Sequence, residues 1–414
     1  MRILYLSQYF PPEIGATQTR AYEMAQGLVR AGHQVTMITE VPNHPEGIIR
    51  PEYRGRLYVR EDLDGIDLRR VWVSTSPNKN FRTRMAFYLS FMLNAALVGL
   101  FLARERYDVI YTTSPPLFVG GAALAISYLR RIPLVFEVRD LWPESAVLLG
   151  ELNNKLAARL STWLETLCYR RARYIVTVVK SIKNRLIERG YPESKICLIP
   201  NGANIELYRP APINQALRQE LGIGPDQFVV IYTGLHGLMH GLDTAVETAH
   251  LLRDQADSLL FIFVGDGVRK AAMQARVHEL GLKNVRFFPL QPEKKLPEFI
   301  TMANAGLSLG RKNPLSRGAL PVKMFTYMAC ARPVLLAYEG EAAELVNEAQ
   351  AGVVVEPENP EALASAIRQL RRDPEMCQQL GQNGQKIVIA HYSRQALAQK
   401  LVHLLESLLR KTED

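Results

Sequence analysis

Residues 1–40 read MRILYLSQYFPPEIGATQTRAYEMAQGLVRAGHQVTMITE, and two periodicities meet in them. ILYL (3–6) and VTMIT (35–39) are short apolar runs. Between them Ala21, Met24, Ala25, Leu28 and Val29 recur at i, i+3, i+4, i+7 and i+8, the spacing of one helix face. Strand, helix, strand makes a βαβ unit. DVIYTT (108–113), PLVFEV (133–138), YIVTVV (174–179) and KICLIP (195–200) continue the pattern. Strands this uniformly apolar imply a parallel sheet covered on both faces. LYVREDLDGIDLRRVWV (57–73) differs: it alternates around Asp64-Gly65 and predicts a hairpin. Asp62 and Asp64 there have the spacing of a metal-binding D-x-D, but a hairpin turn favours a solvated reading.

A stretch with Pro210, Pro212, Gly222, Gly224 and Pro225 follows and is expected to be a linker. A second series begins after it: FVVIYTG (228–234), LLFIFVG (259–265), VRFF (285–288), AGLSLG (305–310), PVLLAY (333–338) and GVVVE (352–356). The expected fold is α/β, with two doubly wound Rossmann-like domains over 1–205 and 206–392. The last amphipathic helix, 393–414, has no strand after it and is expected to pack back on the first domain.

Charge separates the halves. Lys and Arg against Asp and Glu number 27 against 18 in residues 1–200 and 23 against 23 in 201–414, so the net +9 lies in the first half. That half either meets an anionic surface such as a membrane or simply carries scattered, solvated arginines. Cys168, Cys197, Cys330 and Cys377 have no metal-ligand spacing and read as small buried hydrophobes of a reducing compartment. No secretory h-region precedes the first strand, so a cytoplasmic location is expected. No metal site, cofactor or nucleic-acid partner is expected.

MAFYLSFMLNAALVGLFLA (85–103) carries no charge and is bracketed by Arg82, Arg84, Arg104 and Arg106. It meets the lower length for a bilayer span. A span would separate strands needed in one sheet, which leaves two open readings: a buried core helix, or a helix lying at an anionic interface with Phe87, Tyr88, Phe91 and Phe101 as anchors.

Ligands of open parallel sheets bind beyond the carboxyl ends of the strands. The first such loop, SQYFPPEIGATQTR (7–20), offers Gly15 and Ala16 at a helix start, with Thr17 or Thr19 as a cap. EVRDLWPES (137–145) sets Glu137, Arg139, Asp140 and Glu144 at a strand mouth, where charges pair with each other or meet a polar substrate. In the second half, TGLHGLMHGLDTA (233–245) places Gly234, Gly237 and Gly241 around His236 and His240 before a helix near Asp243. Gly265-Asp266-Gly267 lacks the rest of a dinucleotide fingerprint, which argues against NAD. In PVKMFTYMACARPVLL (321–336), Lys323 falls in the first turn of a helix, where a cation is disfavoured by about 0.3–1 kcal/mol unless an anion comes to it. Backbone N–H groups, dipole and lysine together suit a diphosphate.

LSQYFPPEIGA, FEVRDLWPES, IPNGANIELY, YTGLHGLMHGLDTAVE and PVKMFTYMACARPVL, in that order, resemble the family 4 glycosyltransferases of the GT-B fold, particularly their fucosamine-transferase-like branch in capsule, O-antigen and colanic acid assembly. The resemblance implies two Rossmann-like domains facing each other across a cleft, a nucleotide sugar, usually UDP-linked, on the C-terminal domain, no required metal, an acceptor on the N-terminal domain, and retention of anomeric configuration. It implies that Lys323 neutralises the diphosphate, that Gly15 faces the phosphates and sugar, and that Leu290 holds the nucleobase through its backbone. Asp140 and Glu144 would face the acceptor and the transferred sugar. Gly318 and Thr326 stand where the family's E-x7-E motif has its two acids, and His240 where a basic residue or glutamine precedes Gly241. The expected acceptor is a polyprenyl-diphosphate-linked saccharide at the inner face of the cytoplasmic membrane, with Arg82, Arg84, Phe87, Tyr88 and Arg139 as acceptor or membrane contacts. A UDP-sugar 2-epimerase and a non-catalytic partner subunit remain as alternatives.

Overall fold

The structure, a computed structural model, describes residues 1–410 except 14, 45, 79, 149, 151 and 153. The chain divides into two compact units: Met1–Pro200 together with the chain from Gln395 on, and Asn201–Arg394.

The first unit holds eight strands: β1 (Arg2–Leu6), β2 (Gln34–Glu40), β3 (Tyr58–Leu63), β4 (Ile66–Val71), β5 (Val109–Ser114), β6 (Leu134–Val138), β7 (Tyr174–Thr177) and β8 (Ile196–Leu198). Their order is β3-β4-β2-β1-β5-β6-β7-β8. All neighbours are parallel except β3 and β4, which form the expected hairpin, with Asp64 and Gly65 at φ 53° and 82° in its turn. The order reverses at β1, whose neighbours are β2 and β5, so the switch point that favours a ligand lies there. The helix Ala16–Arg30 buries Ala21, Met24, Ala25 and Leu28, as its periodicity predicts. Gly15 is its N-cap and no side chain caps it, because Thr17 and Thr19 both lie inside the helix. The terminal helix, Arg394–Arg410, packs Leu397, Leu401 and Leu405 into the same core cluster as β1; residues 411–414 lie outside the described residues.

The second unit holds β9 (Phe228–Thr233), β10 (Leu259–Val264), β11 (Val285–Phe288), β12 (Ala305–Leu309), β13 (Val334–Ala337) and β14 (Gly352–Val354). The order β11-β10-β9-β12-β13-β14 is wholly parallel and reverses between β9 and β12.

Two expectations need correction. The stretch from Pro210 to Pro225 is not a free linker. It is folded onto the second unit by Arg218, 1% exposed, whose guanidinium donates to the carbonyls of Met302, Pro225 and Gln227 and to Asn304 Oδ1 at 2.8–3.0 Å. Proline and glycine in a sequence announce turns; they do not say what the turns pack on. The apolar segment forms the helix Phe81–Leu97 with a wider π-helical turn Val98–Leu102, and it is neither a core helix nor a span. β4 before it and β5 after it share one sheet. Phe91, Ala95 and Val98 are buried, while Leu93, Leu97 and Phe101 are more than half exposed. Phe91, expected as a membrane anchor, is thus core.

Candidate functional site

The second unit's candidate site is built at its switch point. The helix Val322–Ala329 follows β12, and its Tyr327 is fully buried. The Tyr327 hydroxyl accepts from the Thr233 backbone N–H at 2.9 Å and lies 3.2 Å from Thr233 Oγ1 at the end of β9. Gly306 on β12 leaves the ring its room, since an added Cβ there would stand 2.2 Å from Tyr327. Lys323, four residues earlier, shares that helix face and is brought over the glycine loop. Its Nζ sits 4.9 Å above the Tyr232 ring, and its Cε would be 3.8 Å from a Cβ on Gly234, whose φ of 124° favours glycine. Among the described residues no carboxylate pairs with Lys323. Burial pulls its pKa down to about 8, so at neutral pH it is a largely desolvated, unneutralised cation.

The loop after β9 supplies two more groups. His236 is fully buried among Tyr232, Phe263 and Phe287, and neither ring nitrogen has a hydrogen-bond partner. Gly267 makes this possible: a Cβ there would fall within 2.6–2.8 Å of the His236 backbone. His240 stands edge-on to Tyr232 at 6.3 Å with Nδ1 buried and unpartnered. Burial, and then Lys270 for His236 and Lys323 for His240, depress both pKa values to about 4. Both are neutral imidazoles at pH 7, each offering one N–H and one acceptor. The positive charge here is that of Lys323. The helix Asp243–Leu251 begins as expected, though Asp243 is engaged by Arg269 at 2.6 Å and Arg311 at 3.0 Å. Leu290 lies exposed just past β11, on the same edge of the sheet. Thr326 is 6% exposed and donates to the Lys323 carbonyl at 2.8 Å, so its hydroxyl is spent on its own helix. Gly318 ends the short helix Pro314–Arg317. Tyr232 and Tyr327, the lysine's platform and anchor, were not singled out in the sequence. The i+4 spacing of Tyr327 from Lys323 was the available signal.

In the first unit the end of β6 and the loop after it separate into inward and outward residues. Glu137, fully buried, accepts from Arg20 Nη2 at 2.7 Å, Tyr111 Oη at 2.6 Å and Thr113 Oγ1 at 2.7 Å. Burial alone would raise its pKa, but Arg20, and more weakly Arg139, hold it down at about 2. It is a structural acid. Arg139 sits behind it, largely buried, with Nε 3.7 Å from Glu137 Oε1 and Nη2 donating to the Pro115 carbonyl at 3.3 Å, so it is a member of this network. Asp140 accepts from Ser145 Oγ at 2.9 Å, and Glu144 pairs with Arg185 at 3.1 Å; both are half-buried at the strand mouth. Gly15 and Ala16 stand at the mouth of β1, half-buried and exposed.

Phe87 and Tyr88 do not point outward as anchors. They line a cavity of about 170 Å³ with Tyr9, Asn43, Ser76 and Arg84, with the Phe87 ring 6.4 Å from Tyr9 and 5.5 Å from Tyr88. Its floor is fixed by Glu13, whose Oε1 accepts from the backbone N–H groups of Asn43 and His44, both at 2.7 Å. Arg82 is exposed.

Known proteins match both halves. The family described as "Glycosyl transferase 4-like domain" matches residues 15–202, and "Glycosyl transferases group 1" matches 214–387. WcaI of Escherichia coli (strain K12), named as a colanic acid biosynthesis glycosyl transferase, is 27% identical over 379 residues, 89% of this chain and 92% of the relative. Anabaena Alr3699/HepE, in complex with UDP and glucose, superposes with a TM-score of 0.74 at 19% identity over 98% of this chain and 100% of that one. WaaG, a glycosyltransferase involved in lipopolysaccharide biosynthesis, gives 0.69 at 17% identity over 97% and 99%. At these identities the structural likeness speaks for the fold alone. With the two family domains in sequence over most of its length, the chain belongs to the family 4 glycosyltransferases of the GT-B fold.

Proposed function

We propose that the protein transfers a sugar, with retention, from a nucleotide sugar, most simply a UDP-linked one, to a polyprenyl-diphosphate-linked saccharide in cell-surface polysaccharide assembly. The observation that carries the donor half is Lys323: a desolvated cation without a carboxylate, at the switch point, beside a glycine loop and a helix start. A partly buried charge with no carboxylate beside it is costly, and a diphosphate is the group that fits it. The colanic acid name of WcaI supports the pathway class.

In the proposed reaction the acceptor oxygen bonds to the anomeric carbon on the face from which the diphosphate oxygen departs, and the acceptor's proton passes to that oxygen. Lys323 stabilises the charge developing on the diphosphate, and the neutral imidazoles of His236 and His240 donate hydrogen bonds near it. Thr326 and Gly318 leave no carboxylate for a glycosyl-enzyme at this motif. Asp140 and Glu144 orient the acceptor and the transferred sugar. No metal or cofactor takes part in this scheme, and the enzyme works at the inner face of the cytoplasmic membrane. A thermal-shift panel of UDP-, GDP- and dTDP-sugars tests the donor: stabilisation by one nucleotide class, retained in a chelator, is expected. Lack of response to all three sinks the proposal.

A further inference from the structure

One face of the first unit is unlike the rest of its surface. The helices Phe81–Leu102, Phe118–Leu129 and Lys155–Arg171 form one layer. At Gly121 in the middle helix an added Cβ would meet Met92 Sδ at 2.5 Å and lie 3.6 Å from Leu164 Cδ2, so the outer two flank it. Outward, Leu93, Leu97 and Phe101 on one flank and Leu156, Leu160 and Trp163 on the other are 52–66% exposed. Positions 156, 160, 163, 167 and 170 share one helix face, so the second stripe runs through Leu167 and ends on Arg170.

There it meets an open groove of about 500 Å³ whose charged lining is Arg170, Arg171, Arg173 and Lys195, with no acid. The cations are held in place from behind. Arg171 stacks on Tyr128 at 4.9 Å and donates to the Ser127 carbonyl at 3.1 Å; Lys195 Nζ donates to the Arg170 carbonyl at 3.0 Å. Among the described residues neither Arg170 nor Arg173 has a carboxylate partner. The neighbouring acids are already engaged, Glu193 by Lys183, Glu165 by Arg189 and Glu105 by Arg69. The groove opens at the amino-terminal ends of β6 and β7, the opposite edge from the Asp140 loop.

We propose that this face docks on a bilayer containing anionic phospholipid, with the leucine and tryptophan stripes in the interfacial layer and headgroup phosphates in the Arg170–Arg173–Lys195 groove. Charge complementarity selects this occupant: an apolar face rimmed by unneutralised cations matches an anionic interface. The proposal rests on the membrane reading above and moves the contact from the Arg82 and Arg84 end to a second helix and the opposite edge. Attachment and acceptor binding then use separate surfaces of the unit.

The test is sedimentation with phosphatidylcholine vesicles, with and without phosphatidylglycerol, alongside light scattering in solution. The full chain should bind only the anionic vesicles. Arg170→Glu with Arg173→Glu, and separately Leu160→Glu with Trp163→Glu, should each lower binding about tenfold or more, while Arg82→Glu leaves it within about twofold. All five substitution sites are exposed, and circular dichroism checks folding. Loss of binding in Arg82→Glu alone overturns this inference and leaves the membrane reading standing. Absence of binding by the unaltered protein overturns both. A dimer that Leu160→Glu with Trp163→Glu converts to monomer, with vesicle binding unchanged, makes the stripe a subunit interface and overturns the docking proposal.

Discussion

Lys323→Met separates a catalytic cation from a structural one. Lys323 has a pKa near 8 against an ordinary 10.5, because burial disfavours its charged form. At neutral pH the native state therefore carries a desolvation penalty whose upper limit is about 3 kcal/mol, from about 1.4 kcal/mol per pKa unit. Methionine keeps the apolar stem and removes the charge. It also removes the cation–π contact with Tyr232, worth about 0.5–2 kcal/mol. The expected net is a gain of about 1–2 kcal/mol in the donor-free protein. At roughly 2–4 °C per kcal/mol for a domain of this size, the thermal midpoint of the second unit rises by several degrees. The pH dependence has a definite sign. Between pH 8 and 10.5 the native state holds fewer protons than the unfolded chain, so the unaltered protein gains stability as pH rises through that window. The variant lacks that gain. The stabilisation by UDP or a UDP-sugar should disappear in the variant at the same time, and turnover should fall by orders of magnitude. Calorimetry of both proteins at two pH values, with and without nucleotide, reads all of this. A destabilised variant that still responds fully to nucleotide would refute the reasoning.

Other outcomes follow from the same structure. Tyr327→Phe leaves the buried Thr233 N–H without its acceptor, which costs about 1–3 kcal/mol and loosens the helix that carries Lys323; donor KM should rise more than kcat falls. Glu137→Gln removes the acid that neutralises Arg20 and should destabilise the first unit by about 3–5 kcal/mol in urea unfolding at neutral pH. Its folded pKa is about 2 against 4.5, so that stabilisation is complete above about pH 4.5 and is lost as pH falls through 2; the gap between the two proteins should close in that window. Gly120→Ala drives a Cβ to 2.5 Å from Phe136 and 2.9 Å from Cys168 Sγ, and an overpacking loss of about 1–3 kcal/mol is expected in thermal unfolding.

The sequence by itself determined the strands, their parallel pairing, the Asp64-Gly65 hairpin and the position of Lys323 at a helix start. Each is written in residues within a few positions of one another, because periodicity and turn chemistry are local. What a residue faces across the fold is not local, and tertiary structure alone decided it. Sequence marks Glu137 and Arg139 as part of a ligand-facing loop, yet Glu137 lies within β6, and Arg20, 117 residues before it, engages that acid inside the unit. Phe87 and Tyr88 belong to an apolar run that reads equally as core or as lipid-facing, yet with Tyr9 they form the wall of a cavity. Arg218 ties a proline-punctuated stretch down through carbonyls that no pattern announces. His236 and His240 look like potential cations in mild acid, and their burial beside Lys270 and Lys323 keeps them neutral there too. A sequence specifies which groups are present and how they alternate; charge state and direction depend on the neighbours that the completed fold assembles around them.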